Sequence, residues 1–244
     1  MTKNRQSRRF AFLCGVLLLL LACTTLGDLT GTGRIPSPES GEDTNSQIDL
    51  WLGATAALPS TNLELVTEYS DREPKRLFAE TDSAGNTHLS IAVPVSPAFY
   101  ADQPSDAPLP GDFELFIVDG KAYSRIGGEG EAVQNDSYLT MLVDALNGPE
   151  GPGLWLNIVP DQDYTPAGTE AHGGFTTAKY TVEGSLENGG VSGTIWVDSL
   201  SNALVGAELT VAEGLFFPPG SNGSGDVRIT LTVRQITVPA ITLP

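Results

Sequence analysis

The strongest constraint on the fold is a series of short segments in which apolar and polar residues alternate. The clearest is "FELFIVDGKAYSRI", where Asp119-Gly120 separates two apolar runs and predicts a type I′ β-turn. "NLELVTEYS" alternates leucine with glutamate, and "RLFAETD" and "THLSIAV" flank "SAGN", a second hairpin signal. Strands that alternate in this way and follow one another closely are antiparallel, with one face buried.

The same pattern returns in the last third of the chain. Gly189-Gly190 and the stretch 199–202 supply turn residues there, and 218–225, "PPGSNGSG", predicts a flexible loop. The predicted strands of this part are "FTTAKYTVEGSL", "GVSGTIWVDS", "ALVGAELTVAE" and "DVRITLTVRQI".

One helical region precedes the strands and a second interrupts them. "QIDLWLGATAAL" predicts a short helix with Asp49 as a possible N-cap and Pro59 as a stop. "DSYLTMLVDALNG" carries an apolar stripe at helical spacing, with Gly148 at its end, and "PGLWLNIV" predicts a further short helix. The stripe consists of Leu139, Leu142, Val143 and Leu146. This order of elements predicts an α+β domain, one long antiparallel sheet with helices against one face.

The first 22 residues predict a signal peptide. "MTKNRQSRR" is basic, and the apolar run from Phe10 to Ala22 is 13 residues long. A membrane-spanning helix needs about 20 apolar residues, so the run suits an export signal better than an anchor. An ordinary secretory signal or an uncleaved segment is the alternative.

The residues before Cys23 resemble the lipobox of bacterial lipoproteins. The stretch is Leu20-Leu21-Ala22-Cys23, with leucine at the second position before cysteine, where the family usually has a small residue. In that family the cysteine thiol is acylated and becomes the new N-terminus. The resemblance implies a protein anchored by lipid at Cys23 to the outer face of the cell membrane.

The three predicted parts of the chain differ in composition. Residues 1–22 form the signal peptide, and residues 23–46 are rich in Gly, Ser, Thr, Pro and Asp and predict a flexible acidic tether. As a coil this tether reaches about 25–30 Å. Residues 47–244 are expected to form a single domain.

Charge and cysteine content narrow the class of function. The net charge is −17, and the leader carries four of the 13 Lys and Arg residues and no acid. Such a chain repels nucleic acid, so no nucleic-acid partner is expected. Of the two cysteines, one lies in the leader and the other is Cys23, so the domain is expected to fold without a disulfide.

A search for catalytic and metal motifs finds none that is convincing. There is no G-x-S-x-G, no G-x-x-x-x-G-K-[ST] and no G-x-G-x-x-G. His88 and His172 lie far apart and are expected to be ordinary strand-face or turn residues. "DQD", 161–163, lacks the ladder of a calcium loop. We therefore expect no enzyme, no metal and no cofactor, although a hydrolase without a recognisable motif stays an alternative.

The apolar residues of the sheet and of the helical stripe are therefore the candidate site for binding a ligand. Alternation assigns one sheet face, and Phe116 and Val118 leave the opposite choice open for one of its strands. The candidate ligand-contacting set joins that face to the helical stripe: Leu115, Ile117, Leu139, Leu142, Val143, Leu146, Tyr180, Val182, Ile229 and Leu231. These residues either enclose a cavity for an apolar ligand or pack on one another in a filled core, and sequence pattern does not separate the two.

Several segments, taken in order, resemble the LolA-like and LprG/LppX-type bacterial lipoproteins. They are "FELFIVDGKAYSRI", the run after "NGPEGPGLWLNIV", "GTIWVDSLSNALVGAEL" and "DVRITLTVRQITVPAITLP". The matching positions are Gly153, Leu154, Gly168, Glu170, Gly174, Tyr180, Trp196, Val197, Asp198, Val238 and Pro239. The acid-rich loops and "PSDAPLPGD" depart from the family pattern.

The resemblance implies a half-open antiparallel β-barrel with helices covering its concave face. It also implies a protein that binds lipid or glycolipid acyl chains and carries them in the cell envelope. The lipid, the direction of transfer and any transporter partner are not identified by the sequence. The second interpretation is a sensing or structural module of the envelope with a filled core.

Overall fold

A computed structural model describes residues 44–92, 113–126, 130–158, 163–186, 189–217 and 220–244. The predicted signal peptide, Cys23 and most of the predicted tether lie outside these residues. The described helices are α1 (Thr44–Ala56), a 3-10 turn (Asp136–Tyr138), α2 (Met141–Asn147), α3 (Pro152–Ile158) and α4 (Glu213–Phe216). None of the described helices is long and apolar enough to cross a membrane.

Eleven described strands form one antiparallel sheet. They are β1 (Thr61–Glu68), β2 (Lys75–Thr81), β3 (Thr87–Ala92), β4 (Phe113–Val118), β5 (Lys121–Ile126), β6 (Val133–Gln134), β7 (Asp163–His172), β8 (Phe175–Leu186), β9 (Gly189–Asp198), β10 (Leu204–Val211) and β11 (Val227–Gln235). Their order in space is β6-β5-β4-β3-β2-β1-β11-β10-β9-β8-β7.

This order describes two meanders that meet at the centre of the sheet. From β1 the chain steps outward to β6 at one edge, and the helices α2 and α3 then connect it to β7 at the other edge. From β7 it steps back to β11, which pairs with β1. The sheet is curved and unclosed, and with its helices it has the α+β, half-open architecture that the sequence predicts.

The register keeps the buried residues of neighbouring strands on one face. Leu65 of β1 lies opposite Leu77 of β2 on one side and Leu231 of β11 on the other. The same row continues through Ala207 of β10 to Ile195 of β9. Because side chains alternate along a strand, this register places every second residue of each strand on the same face, here called the inner face.

The helices pack on the inner face at the β10–β11 side. Thr55 of α1 donates a hydrogen bond from its hydroxyl to the carbonyl oxygen of Leu204, at 2.8 Å. The helices α1, α2 and α3 contact one another, and α3 also contacts β10 and β11. Buried residues of helices and sheet form one continuous apolar cluster.

Most of the predicted strands and turns are confirmed. Asp119 and Gly120 both have positive φ, 52° and 73°, as a type I′ turn requires. The turn between β2 and β3 covers the predicted "SAGN".

Two helix boundaries differ from the prediction. Helix α1 begins at Thr44, so Asp49 lies inside it rather than at its N-cap, and the first helical residues fall within the stretch predicted as tether. The middle helix begins at Met141 rather than at the start of the predicted stretch "DSYLTMLVDALNG", because the Asn135 side chain caps a separate 3-10 turn first.

Strand β7 was not predicted from the sequence. Its alternation is broken by Pro166 and by a bulge between Pro166 and Gly168. A proline lacks an amide hydrogen and is tolerated on an edge strand, which is the position that β7 occupies. The short helix α4 was also missed, since four residues are too few to show a helical period.

Candidate ligand-binding face

The inner face is apolar across almost the whole sheet. Each of β1–β5 and β7–β11 contributes at least one apolar residue in register with its neighbours. One apolar inner-face residue from each of these strands is Leu65, Leu77, Leu89, Leu115, Ala122, Tyr164, Val182, Ile195, Ala207 and Leu231. At about 4.8 Å between strands, ten strands extend about 45 Å along the curve of the sheet.

The helices are short beside this face. The 13 residues of α1 extend about 20 Å, and the seven residues of α2 and of α3 about 10 Å each. A wide apolar face under short helices is the geometry expected of a concave sheet with a partial lid.

The predicted sheet residues lie together on the inner face. Leu115 and Ile117 of β4 share that face with Val182 and Tyr180 of β8, and Ile229 and Leu231 of β11 lie between them. Leu115, Val182, Ile229 and Leu231 are buried, whereas Ile117 and Tyr180 are partly exposed. The face left open by the sequence is resolved by the register, because Phe116 points to the opposite face.

The predicted helical stripe is only partly buried. Leu142 and Leu146 of α2 belong to the buried cluster, and Val143 beside them is half-buried. Leu139 lies before α2 and is 40% exposed, so it does not continue the stripe. A turn of 3-10 helix ahead of α2 changes the helical phase, which is why Leu139 does not lie on the buried side of the helix.

Two aromatic rings that the sequence did not single out, those of Trp51 and Tyr164, lie with Tyr180 where α1 meets β7 and β8. Trp51 stacks on Tyr180 with ring centroids 6.3 Å apart and meets Tyr164 edge-on at 6.1 Å. The Tyr164 hydroxyl donates to the carbonyl oxygen of Leu156, and burial raises the pKa of this phenol. The signal for Trp51 was present, because Ile48, Trp51, Leu52 and Thr55 follow the i, i+3, i+4, i+7 spacing of one helix face.

A second aromatic cluster lies where β1 ends and α4 begins. Trp155 of α3 stacks on Phe216 at 5.5 Å, and Tyr69 meets Phe216 edge-on at 5.7 Å. Arg72 lies 4.7 Å from the centroid of Tyr69 and 5.2 Å from that of Phe217. These rings cover the apolar cluster where β1 ends, beside Glu68.

The other face of the sheet, the outer face, carries the two histidines. His88 stacks on Phe116 at 4.5 Å, and Glu114 accepts from His88 and Arg125. The guanidinium of Arg125 also lies 5.5 Å from the centroid of Phe116. The polar groups thus cover an aromatic ring that would otherwise face water.

His172 takes part in an arrangement of the same kind around Trp196. The two rings stack at 4.5 Å, and Glu170 accepts from the indole nitrogen of Trp196 and from Lys179. These bonds, that of Trp196 first, lower the pKa of Glu170, while burial lowers the pKa of His172. The histidines therefore lie in two separate outer-face clusters, as ordinary strand residues do.

Within the described residues, no group of three or more His, Cys, Asp and Glu side chains could hold a metal ion. Of the "DQD" stretch, only Asp163 is among these residues, at the start of β7.

Comparisons with known proteins returned similar structures but no sequence match. No family model and no curated protein matches the chain. LprF from Mycobacterium bovis is 16% identical over 86% of this chain and 97% of its own, with a TM-score of 0.39. MucB is 14% identical over 82% of this chain and 62% of its own, with a TM-score of 0.37.

A LolA superfamily protein from Nitrosomonas europaea is 10% identical over 80% of this chain and 94% of its own, with a TM-score of 0.26. The family named by the sequence resemblance is thus among the structures returned. Because all three TM-scores lie below 0.5, the description of the fold rests on the topology and register given above.

Proposed function

We propose that this protein is a lipid-binding lipoprotein of the cell envelope that shelters acyl chains between its inner face and its helices. The observation that supports this most is the continuous apolar inner face, which crosses ten strands under three short helices. The ligand is a lipid or a glycolipid, and binding it needs no catalytic group.

The hydrophobic effect explains why lipids need a binding protein to cross an aqueous space. Each methylene group left in water costs about 0.8 kcal/mol, so a sixteen-carbon chain costs about 12 kcal/mol to expose. Acyl chains therefore move between membranes only when they are sheltered. Carriage of lipid within the envelope is the role that we propose for the enclosed face.

The test of binding is organic extraction of the purified protein followed by mass spectrometry. We expect lipid at close to one molecule per chain, retained through purification. Protein that yields no lipid, and that takes up none when mixed with vesicles, would contradict the proposal.

The runner-up is a non-catalytic sensing or structural module with a filled core. The burial of the inner face and of the helix above it favours it: Leu89, Leu115 and Ile195 of the sheet and Leu146 of α2 are all 0% exposed. In that case the side chains of the helices and the sheet pack directly against one another and leave no cavity for a ligand.

Anchoring is proposed from the sequence, through Cys23. Cys23→Ala removes the thiol that would be acylated, so the precursor is expected to stay without the lipid mass and to leave the membrane fraction. Intact-mass spectrometry of the two proteins checks this. A Cys23→Ala protein that still gains the lipid mass would show that the anchor is elsewhere, and Cys14→Ala, with its cysteine inside the leader, is the matched control.

A further inference from the structure

The inner face has two ends, set by the two ends of β1. The tail end lies at Thr61, where β1 begins and the C-terminal residues 236–244 follow β11. The loop end lies at Glu68, where β1 stops beside the loop of residues 148–151 that joins α2 to α3. The two ends are closed by different kinds of interaction.

The tail end is closed by backbone hydrogen bonds and a buried carboxylate. The amide of Ile236 donates to the carbonyl oxygen of Ser60, and the amide of Ile241 donates to the Asp82 carboxylate, each at 2.9 Å. Asp82 is 2% exposed and Val238 is 8% exposed. Opening this end would break the bond from Ile241 to a buried carboxylate, which is costly.

The loop end is closed by the buried hydroxyl of Thr67 and by an ion pair that reaches water. The hydroxyl of Thr67 donates to the carbonyl oxygen of Glu150 at 2.7 Å, and the hydroxyl of Tyr69 donates to its Oε1 at 2.9 Å. Lys75 forms an ion pair with the same carboxylate. The side chains of Lys75 and Glu150 are 41% and 37% exposed.

The loop stands between solvent and the apolar interior. On its inner side Trp155 is 4% exposed, and its indole nitrogen donates to the carbonyl oxygen of Pro149 at 2.7 Å. Leu146, in the last turn of α2 before the loop, is fully buried. Gly151 leaves no room for a Cβ against the carbonyl oxygens of Ala145 and Leu146, so the loop is pressed onto the end of α2.

The burial of the two closures decides which opens more readily. Exposed ion pairs contribute little to stability, because water screens them and two long side chains lose freedom in making them. A buried carboxylate with backbone donors contributes more. The loop end is thus the weaker closure of the inner face.

We propose that the acyl chain enters and leaves through the loop end, and that Glu150 is the positioning residue that holds this entrance shut. Glu150 ties the loop to Thr67 of β1, to Tyr69 just after that strand, and to Lys75 of β2. The inference rests on the proposed lipid binding, and it concerns the route and its rate rather than the affinity.

The test is stopped-flow mixing of purified protein with cis-parinaric acid, whose fluorescence rises in apolar surroundings. Glu150→Gln keeps an acceptor for Tyr69 but loses the ion pair with Lys75, and Thr67→Val removes the bond to the loop backbone at nearly constant volume. In both variants we expect association and dissociation to accelerate together, by up to about fivefold, while the Kd stays unchanged. The matched control is Glu114→Gln, which removes a carboxylate from an ion-pair network on the outer face.

Unchanged rates in both entrance variants would overturn the route, as would an equal acceleration in the control. A change in Kd without a change in association rate would assign these residues to ligand contact instead. If the wild-type protein gives no fluorescence rise at all, the proposed function fails, and the entrance fails with it.

Discussion

Asp82 connects the turn between β2 and β3 to the end of the chain. Its carboxylate accepts hydrogen bonds from the backbone amides of Ala84, Asn86 and Ile241 and from the side-chain amide of Asn86. The bond from Ile241 is the largest of the causes that lower the pKa of this buried carboxyl. A single residue thus holds a local turn and a tail 159 positions away.

Replacing Asp82 with asparagine is expected to destabilise the fold in a pH-dependent way. The charged acceptor is lost, so at pH 7 the free energy of unfolding should fall by about 1.5–3 kcal/mol. Because the folded-state pKa is lowered, the carboxylate stabilises the fold above its unfolded pKa near 3.8, and this contribution is lost as the pH falls through the folded value. Urea melts across this acidic range should show the wild type and the variant converging.

The control for this prediction is Asp119→Asn. Asp119 is exposed, and its positive φ of 52° is one that asparagine adopts as readily. Its melts should follow the wild type at every pH. Equal stability of Asp82→Asn and wild type at pH 7 would show that the bonds to Asp82 do not hold the tail.

At the scale of elements, the β7–β8 hairpin is held against the sheet at its tip. The amide of Gln235 donates to the carbonyl oxygen of Gly173 at 2.8 Å, so the tip reaches β11. The ring of His172 lies over Gly206 of β10, where a Cβ would come within 2.5 Å of Nε2 and 2.9 Å of the Trp196 ring. The absence of a side chain at position 206 is what admits the histidine.

Gly206→Ala should therefore displace His172 and loosen the hairpin tip. We expect a loss of about 1–3 kcal/mol of stability, typical of overpacking, and faster hydrogen exchange at the Gln235 amide. Gly53→Ala is the matched control, since Gly53 lies in α1 with nothing within 4 Å of the position that a Cβ would take, and alanine favours a helix by about 1 kcal/mol. Retained stability and retained protection in Gly206→Ala would contradict this account of the tip.

The elements that the sequence predicted are those with a strong local period. The strands β1–β5 and β8–β11 alternate clearly, and Asp119-Gly120 is a turn signal that needs no tertiary context. Strand β7 was missed because its proline and bulge erase the alternation. The start of α2 was misplaced because a separate 3-10 turn, capped by Asn135, comes before it.

The candidate site was predictable only in its sheet half. Alternation found the inner-face residues of β8 and β11, such as Val182 and Ile229. It could not find Glu150 or Tyr69, because these two residues lie 81 positions apart and meet only through the tertiary fold. The stripe failed at Leu139 because a 3-10 turn has a different period from an α-helix.

At the scale of the whole molecule, the sheet joins two meanders by one long-range pairing. Strands β1 and β11 lie side by side at its centre, although nearly the whole domain separates them in sequence. Loop closure of this length is entropically costly, and the apolar cluster that runs through both halves repays it. The same cluster gives the molecule one continuous interior, which either holds a ligand or is full.

Val143→Trp distinguishes these two states of the interior most directly, because Val143 is a half-buried residue of α2 beside the buried Leu142 and Leu146. Bound lipid is measured by extraction and mass spectrometry, and stability by urea melts, on the wild type, on Val143→Trp and on the outer-face control Val66→Trp. We predict that the wild type carries lipid, that Val143→Trp carries much less with stability nearly unchanged, and that the control keeps its lipid. A wild type without lipid, together with a Val143→Trp variant that loses about 1–3 kcal/mol to overpacking, would contradict the lipid-binding account and show a filled core.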